Sequence, residues 1–166
     1  GHNLDGLYTI IDGQGKNKDP NRLFQVHDEM IHIYKDSETG TRQPYGYIST
    51  ENEYSHYHLR LQYQWGTKKF VPRANTLRDS GVLFHLVEPD MVWPTSIECQ
   101  VQEGDTGDII CIAGTRCTVS IDPNIPGRHR VRGQYLPPED GGVPNTSPFW
   151  SIKSGTYDTL EGWNKV

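Results

Sequence analysis

The chain has 166 residues, which suits one domain with a sizeable core, and its net charge is -5 at pH 7. Lys and Arg form no cluster, so nucleic acid is not expected as a partner, because phosphate binding needs concentrated positive charge. No apolar run approaches the roughly 18 residues that span a bilayer. An aromatic content of 10%, with 17 glycines and 11 prolines, favours an all-β domain.

Short apolar runs bounded by turn residues predict strands in the first half of the chain. They lie at 7–11, 23–26, 30–34 and 45–50. The clearest two-residue period follows at 56–65, where apolar residues share one face and polar residues, including His58 and Arg60, share the other. The long loop 66–78 is predicted to be a rim or lid, because long loops in compact domains are usually functional.

The second half of the chain continues the pattern of short strands. They are predicted at 82–87, 96–102, 108–113, 116–121 and 149–153, with an irregular stretch over 123–142. Within 82–87, His85 has the same parity as Leu83 and Val87. The strands at 108–113 and 116–121 are predicted to form a hairpin around a Gly-Thr turn.

The strand at 96–102 alternates strictly between apolar and polar residues. Its apolar row is predicted to face the core, and its polar row of Glu98, Gln100 and Gln102 is predicted to lie on a solvated sheet face that forms a binding cleft. Many short strands separated by turns indicate a β-sandwich or barrel, and no shift in composition marks a second domain.

The three cysteines do not form a zinc knuckle, because their number is odd and no Cys-x-x-Cys pair is present. Cys99 lies on the apolar row and is expected to be a small core residue. Cys111 and Cys117 flank the predicted turn. They either stay as thiols or pair across it, and pairing would indicate an oxidising compartment.

Four segments together resemble the 3-keto-disaccharide hydrolase family, whose members are mostly secreted or periplasmic bacterial proteins. The segments are 46–51 (GYISTE), 54–61 (YSHYHLRL), 79–82 (DSGV) and 96–108 (SIECQVQEGDTGD). The resemblance implies one concanavalin A-like jelly-roll domain over 1–166, with two antiparallel sheets and a concave sugar-binding face. Residues 1–6 and 161–164 resemble parts of family motifs, so the closing C-terminal strands are expected to be missing.

The resemblance also implies a distant structural likeness to glucanases that carry two carboxylates on one strand. Here Gln stands where the second acid would be needed, whereas a retaining mechanism requires two carboxyl groups about 5 Å apart. The family's proposed chemistry on a 3-keto glycoside requires a single base near C2, a group that polarises the C3 carbonyl and an acid for the leaving oxygen. An enzyme acting on an oxidised glycoside is therefore the favoured interpretation.

For this reaction Glu98 or His85 is the candidate general base, and Arg60, His58 or a divalent metal ion would stabilise the enolate. Arg60 alternatively pairs with Glu98, and His85 is alternatively an ordinary strand histidine. Trp93 either stacks on a sugar ring or packs in the core. The candidate substrate-binding residues are Gln100, Gln102, His58, Asp79, Trp93 and Arg73.

No cofactor is certain from the sequence. A divalent metal is possible, held by His85, Glu98 and a third group. Two rival interpretations remain open: a non-catalytic carbohydrate-binding module, and a glucanase-like hydrolase whose second acid is Glu51 or Asp79.

Overall fold

The computed structural model describes residues 2–125, 131–148, 151–153 and 162–166. It is all-β, with 38% strand and 2% helix, which confirms the predicted fold class, and its several antiparallel sheets are consistent with a β-sandwich. The strands are β1 Leu7–Ile11, β2 Phe24–His27, β3 Met30–Ile33, β4 Gly46–Thr50, β5 Gln62–Tyr63, β6 Gly81–Val87, β7 Thr95–Gln100, β8 Ile109–Ile112, β9 Arg116–Ile121, β10 Val131–Gln134, β11 Val143–Pro148, β12 Ser151–Lys153 and β13 Asn164–Lys165. A short 3₁₀ turn spans Pro138–Asp140. In the described ranges, no helix has the length and hydrophobicity to cross a membrane.

The chain divides into two compact units. Unit 1 comprises Gly1–Leu59, Thr67–Thr76 and Asp90–Val92, and unit 2 comprises Arg60–Gly66, Leu77–Pro89 and Trp93–Val166. The interpretation of 1–166 as one jelly-roll domain without its closing strands stays a prediction.

Unit 1 contains two antiparallel strand pairs, β1 with β4 and β2 with β3. Asp28 and Glu29, which join β2 to β3, both have positive φ, as a tight two-residue hairpin turn requires. The core of the unit is apolar. Its buried residues are Ile11, Leu23 and Phe24, against which Leu4, Tyr34 and Ile48 pack.

Unit 2 contains a five-stranded sheet in the order β10-β12-β8-β7-β6. Strand β7 therefore lies between β6 and β8 and pairs antiparallel with both. Two further pairs, β9 with β11 and β5 with β13, belong to the same unit. The predicted hairpin of 108–113 with 116–121 is wrong, because β8 pairs with β7 and β12 whereas β9 pairs with β11.

The predicted strand at 56–65 is wrong over most of its length, since only Gln62–Tyr63 forms a strand. An alternating sequence becomes a strand only where its backbone finds a partner. In the described residues that partner is β13, next to a reciprocal backbone pair between Leu61 and Val166. Residues 51–60 are exposed, Leu59 among them.

Three strands were not predicted, and β13, Asn164–Lys165, is the shortest of them. Residues 131–134 lie in the stretch predicted to be irregular, and Pro144 and Pro148 argue against a strand at 143–148. Among the described strands, β11 pairs with β9 alone, and proline is tolerated in such an edge strand because one side needs no backbone donors. Of the strand predicted at 149–153, β12 covers the last three residues, and 149–150 lie outside the described residues.

Candidate active site

The polar row of β7 is buried, contrary to the prediction that it lies on a solvated face. Glu98 is 7% exposed and Gln100 is equally buried, whereas Ile97 and Cys99 are only half-buried. The strand register explains the reversal. Leu83 of β6 and Ile110 of β8 lie directly opposite Glu98, so apolar neighbours on both sides enclose the carboxylate.

Gly81 makes room for this carboxylate. A Cβ atom built at Gly81 would overlap Oε1 of Glu98, and Gly81 lies opposite Gln100 in the β6–β7 ladder. The Glu98 side chain therefore lies over Gly81, the one position of β6 at which no side chain stands in its way. Sequence reasoning missed this role, although the Asp-Ser-Gly-Val segment belongs to the family resemblance and gave the only signal for it.

The electrostatic surroundings of Glu98 favour its protonated form. Burial, and then the nearby carboxylate of Asp79, raise its pKa from 4.5 to about 7. Among the described residues no hydrogen bond or ion pair reaches the Glu98 carboxylate. A carboxyl group whose pKa is raised by burial and by a neighbouring charge is typical of functional sites. It is able to accept or release a proton near neutral pH.

An irregularity in β6 interrupts the predicted shared parity of Leu83, His85 and Val87. Phe84 lies opposite Ile97 and Val87 opposite Thr95, which leaves His85 and Leu86 opposite a single residue of β7. This is a β-bulge, and His85 has a φ of 55°, which breaks the alternation of side chains. The imidazole lies edge-on against the Phe84 ring, with centroids 5.6 Å apart. A catalytic role for His85 stays a prediction.

Arg60 and His58 both lie outside any strand and are exposed. Arg60 belongs to unit 2 and His58 to unit 1. The alternative in which Arg60 pairs with Glu98 is not observed, since the ion pairs of the described residues do not include this one. The role of Arg60 and His58 in stabilising an enolate stays a prediction.

The predicted sugar-binding residues have different surroundings. Gln100 lies in the buried row, and its Oε1 accepts a hydrogen bond from the backbone N–H of Val101 at 2.9 Å. Gln102 lies beyond the end of β7, and its amide donates to the carboxylate of Asp105. Trp93 is 50% exposed, which excludes packing in the core and leaves its ring accessible for stacking.

Arg73 and Asp79 complete the predicted set. Arg73 is half-buried in the 66–78 loop and belongs to unit 1. Asp79 is exposed in unit 2, and its charge acts on Glu98. Asp79 is therefore the one predicted binding residue whose charge acts on the candidate base.

Arg78 and Glu103 form an ion pair that sequence reasoning missed. Glu103 is 5% exposed, and its carboxylate accepts hydrogen bonds from the guanidinium and from the backbone N–H of Arg78. The guanidinium also donates to the backbone carbonyl of Gly66 and lies 5.7 Å from the centre of the Trp65 ring. This pair fixes the residues just before β6 to the turn that follows β7.

The proposed metal site of His85 and Glu98 finds no third ligand in the part of the chain that the structure describes. There, no three His, Cys, Asp or Glu side chains are grouped so that they could hold one ion. Asp105 lies in a turn in which Gly104 and Gly107 have positive φ, as tight turns require.

Comparison with known proteins gives one match. No curated protein and no solved structure matches the chain. A family described as the 3-keto-alpha-glucoside-1,2-lyase-like domain matches residues 1–141, which is most of the 166 residues. The chain therefore belongs to the 3-keto-alpha-glucoside-1,2-lyase-like domain family, in agreement with its resemblance to 3-keto-disaccharide hydrolases.

Proposed function

We propose that this protein cleaves 3-keto glycosides by removing the proton at C2, with Glu98 as the general base. The family suggests a carbohydrate-active enzyme of the 3-keto-glucoside lyase or hydrolase type. One observation carries the assignment of the base: the Glu98 carboxylate is buried, has a pKa of about 7 and lacks a hydrogen-bond partner among the described residues.

The reaction begins with the acidity that the C3 carbonyl gives to the C2 proton. Glu98 takes this proton, and the electrons of the C2–H bond form an enolate with C3. When the enolate collapses, a C1–C2 double bond forms and the C1–O bond breaks, so the leaving oxygen departs with its electron pair and accepts a proton. Water then adds its oxygen to C1 and a proton to C2, and the net result is hydrolysis.

The surroundings of Glu98 suit this step better than those of an ordinary surface carboxylate. A base is most effective when its pKa lies near the working pH, because it is then both ionised and strong enough to take the proton. Burial against Leu83 and Ile110 supplies this shift, and the cradle at Gly81 holds the carboxylate in place. Trp93 supplies an accessible ring for stacking on a sugar.

The remaining assignments belong to the same proposal. Gln100 and Gln102 bind hydroxyl groups, and Arg60, of the same unit, stabilises the enolate oxygen. The protein acts outside the cytoplasm, as the resemblance implies.

A second candidate function is supported by the charge of Asp79. Its carboxylate raises the pKa of Glu98, and a pair of interacting carboxyl groups is also the machinery of conventional glycoside hydrolysis. In that case Glu98 would protonate the leaving oxygen, and no keto group would be needed.

One assay separates these functions. The protein is incubated with a 3-keto disaccharide and, in parallel, with its unoxidised parent, and the released sugars are quantified. The proposed enzyme cleaves only the keto form, a glucanase-like hydrolase cleaves the parent, and a carbohydrate-binding module cleaves neither.

The variant Glu98→Gln tests the base. It keeps the size of the side chain but cannot take a proton, so we expect turnover of the keto disaccharide to fall by about 10²-fold or more. Glu139→Gln is the matched control, because Glu139 is an exposed glutamate of the same unit. Turnover by Glu98→Gln within a few-fold of the control would exclude Glu98 as the base.

A further inference from the structure

The thiols of Cys111 and Cys117 meet in unit 2. Their Sγ atoms are 2.8 Å apart, a separation longer than a covalent S–S bond of about 2.05 Å, so both cysteines are free thiols in this structure. Two sulfur atoms that are not bonded rarely approach this closely. The backbone therefore already holds the two side chains almost in the positions that a disulfide needs.

The path of the chain explains why the two thiols meet. Cys111 lies in β8, a strand of the five-stranded sheet, whereas Cys117 lies in β9, which pairs with β11. The connection between them is a tight turn in which Ala113 and Gly114 have positive φ and the N–H of Thr115 bonds to the carbonyl of Ile112. The chain thus leaves one sheet and enters the other within a few residues.

We propose that Cys111 and Cys117 are oxidised to a disulfide that joins the five-stranded sheet to the β9–β11 pair. Each thiol gives up one proton and one electron, and one S–S bond forms. The two electrons and two protons pass to a disulfide oxidant of the glutathione class, which is thereby reduced to two thiols.

The surroundings of the pair predict a structural cross-link that resists reduction. Cys111 is 0% exposed, so in the folded protein a reductant can reach the bond only at the sulfur of the half-buried Cys117. Burial, and then the neighbouring Cys111 thiol, raise the pKa of Cys117 to about 12. Thiolates carry out disulfide exchange, so oxidation is expected mainly during folding, before this burial is complete.

Cys99 is the internal control for this chemistry. It lies in β7, opposite Val82 and Ile109, and Cys111 and Cys117 make their short contact with each other. It is therefore expected to stay a thiol under conditions in which the other two are oxidised.

The test is to refold reduced protein with oxidised glutathione, denature it, alkylate the remaining thiols and identify them by peptide mass spectrometry. We expect one alkylated residue, Cys99, and an intact mass lower by two hydrogen atoms. Cys99→Ser should keep this mass loss and leave no thiol to alkylate, whereas Cys117→Ser should lose it. Three alkylated cysteines in the wild-type chain, or a bond that involves Cys99, would overturn the proposal.

A second readout uses the wild-type chain alone. Thermal unfolding of the oxidised and fully reduced forms is compared by circular dichroism. A disulfide closes the loop from Cys111 to Cys117 and so restricts the unfolded chain. The oxidised form should therefore have a Tm higher by at least about 4 °C. Equal Tm values would contradict the structural role.

Discussion

Glu98 combines two properties that seldom occur together in a glutamate. It is 7% exposed, and yet no hydrogen bond from the described residues reaches its carboxylate. Transfer of a carboxylate out of water favours the neutral acid, and this is the main reason that its pKa is about 7. A group of this kind costs stability when it ionises, so its retention is easier to explain by chemistry than by packing.

Asp79 is predicted to tune the base. Its negative charge raises the pKa of Glu98, so Asp79→Asn should lower that pKa and move the acid limb of the kcat/KM profile to lower pH. The pH–rate profile on a 3-keto disaccharide measures this. Asp140→Asn, an exposed aspartate of the same unit, should leave the limb in place. An upward or absent shift in Asp79→Asn would contradict the electrostatic coupling.

The pairing of β6 with β7 builds the site at the next scale. The ladder places Gly81 beside the Glu98 carboxylate and Leu83 directly opposite it, and the bulge at His85 ends the regular alternation. The cradle at Gly81 and one of the two apolar neighbours, Leu83, thus come from the same strand, and the other neighbour, Ile110, comes from β8.

Gly81→Ala should displace the carboxylate, because the new methyl group would overlap Oε1 of Glu98. Misplacement of a base by about 1 Å costs about 10²-fold in rate, so we expect a loss of that order in kcat/KM on the keto disaccharide. Gly66→Ala is the control, since a Cβ atom there meets open space. Carbon-13 NMR titration of Glu98 gives a readout that does not depend on turnover. An unchanged titration and an unchanged rate would contradict the cradle.

The Arg78–Glu103 pair is predicted to hold the ends of β6 and β7 in place. Arg78→Leu leaves the 5% exposed Glu103 carboxylate without its cation, so the free energy of unfolding should fall by about 3 kcal/mol. Urea titration measures the loss. Arg116→Leu, which removes an exposed arginine from the start of β9, should cost far less. Equal losses in the two variants would show that the pair contributes nothing specific.

At the scale of the whole molecule, Glu98 makes stability depend on pH. Its pKa rises from 4.5 to about 7 on folding, so the folded protein binds more protons than the unfolded chain between these values. Stability is therefore lost as the pH rises through about 7. Glu98→Gln removes this dependence and should be more stable than wild type at about pH 8, by at most on the order of 3 kcal/mol. Urea unfolding at about pH 5 and pH 8 measures the difference, and a gain confined to low pH would contradict it.

Much of the fold could be predicted from the sequence, because turn residues bound short apolar runs such as 7–11 and 82–87. The failures have physical causes. Alternation at 56–65 does not reveal whether a partner strand exists, and the burial of Glu98 depends on Leu83 and Ile110 in neighbouring strands. Glu98 could be proposed as the base from its strand and the family resemblance, but the space that Gly81 leaves for its carboxylate depends on how β6 pairs with β7.

The fate of hydrogen at C2 tests the proposed reaction most directly. A 3-keto disaccharide is cleaved in D₂O, the released 3-keto sugar is trapped at once by borohydride reduction, and deuterium at C2 is measured by NMR. Product incubated with Glu98→Gln corrects for spontaneous exchange. Elimination and hydration predict deuterium at C2 in every turnover by the wild-type protein. Product that keeps its original hydrogen at C2 would contradict proton abstraction by Glu98 and indicate direct hydrolysis.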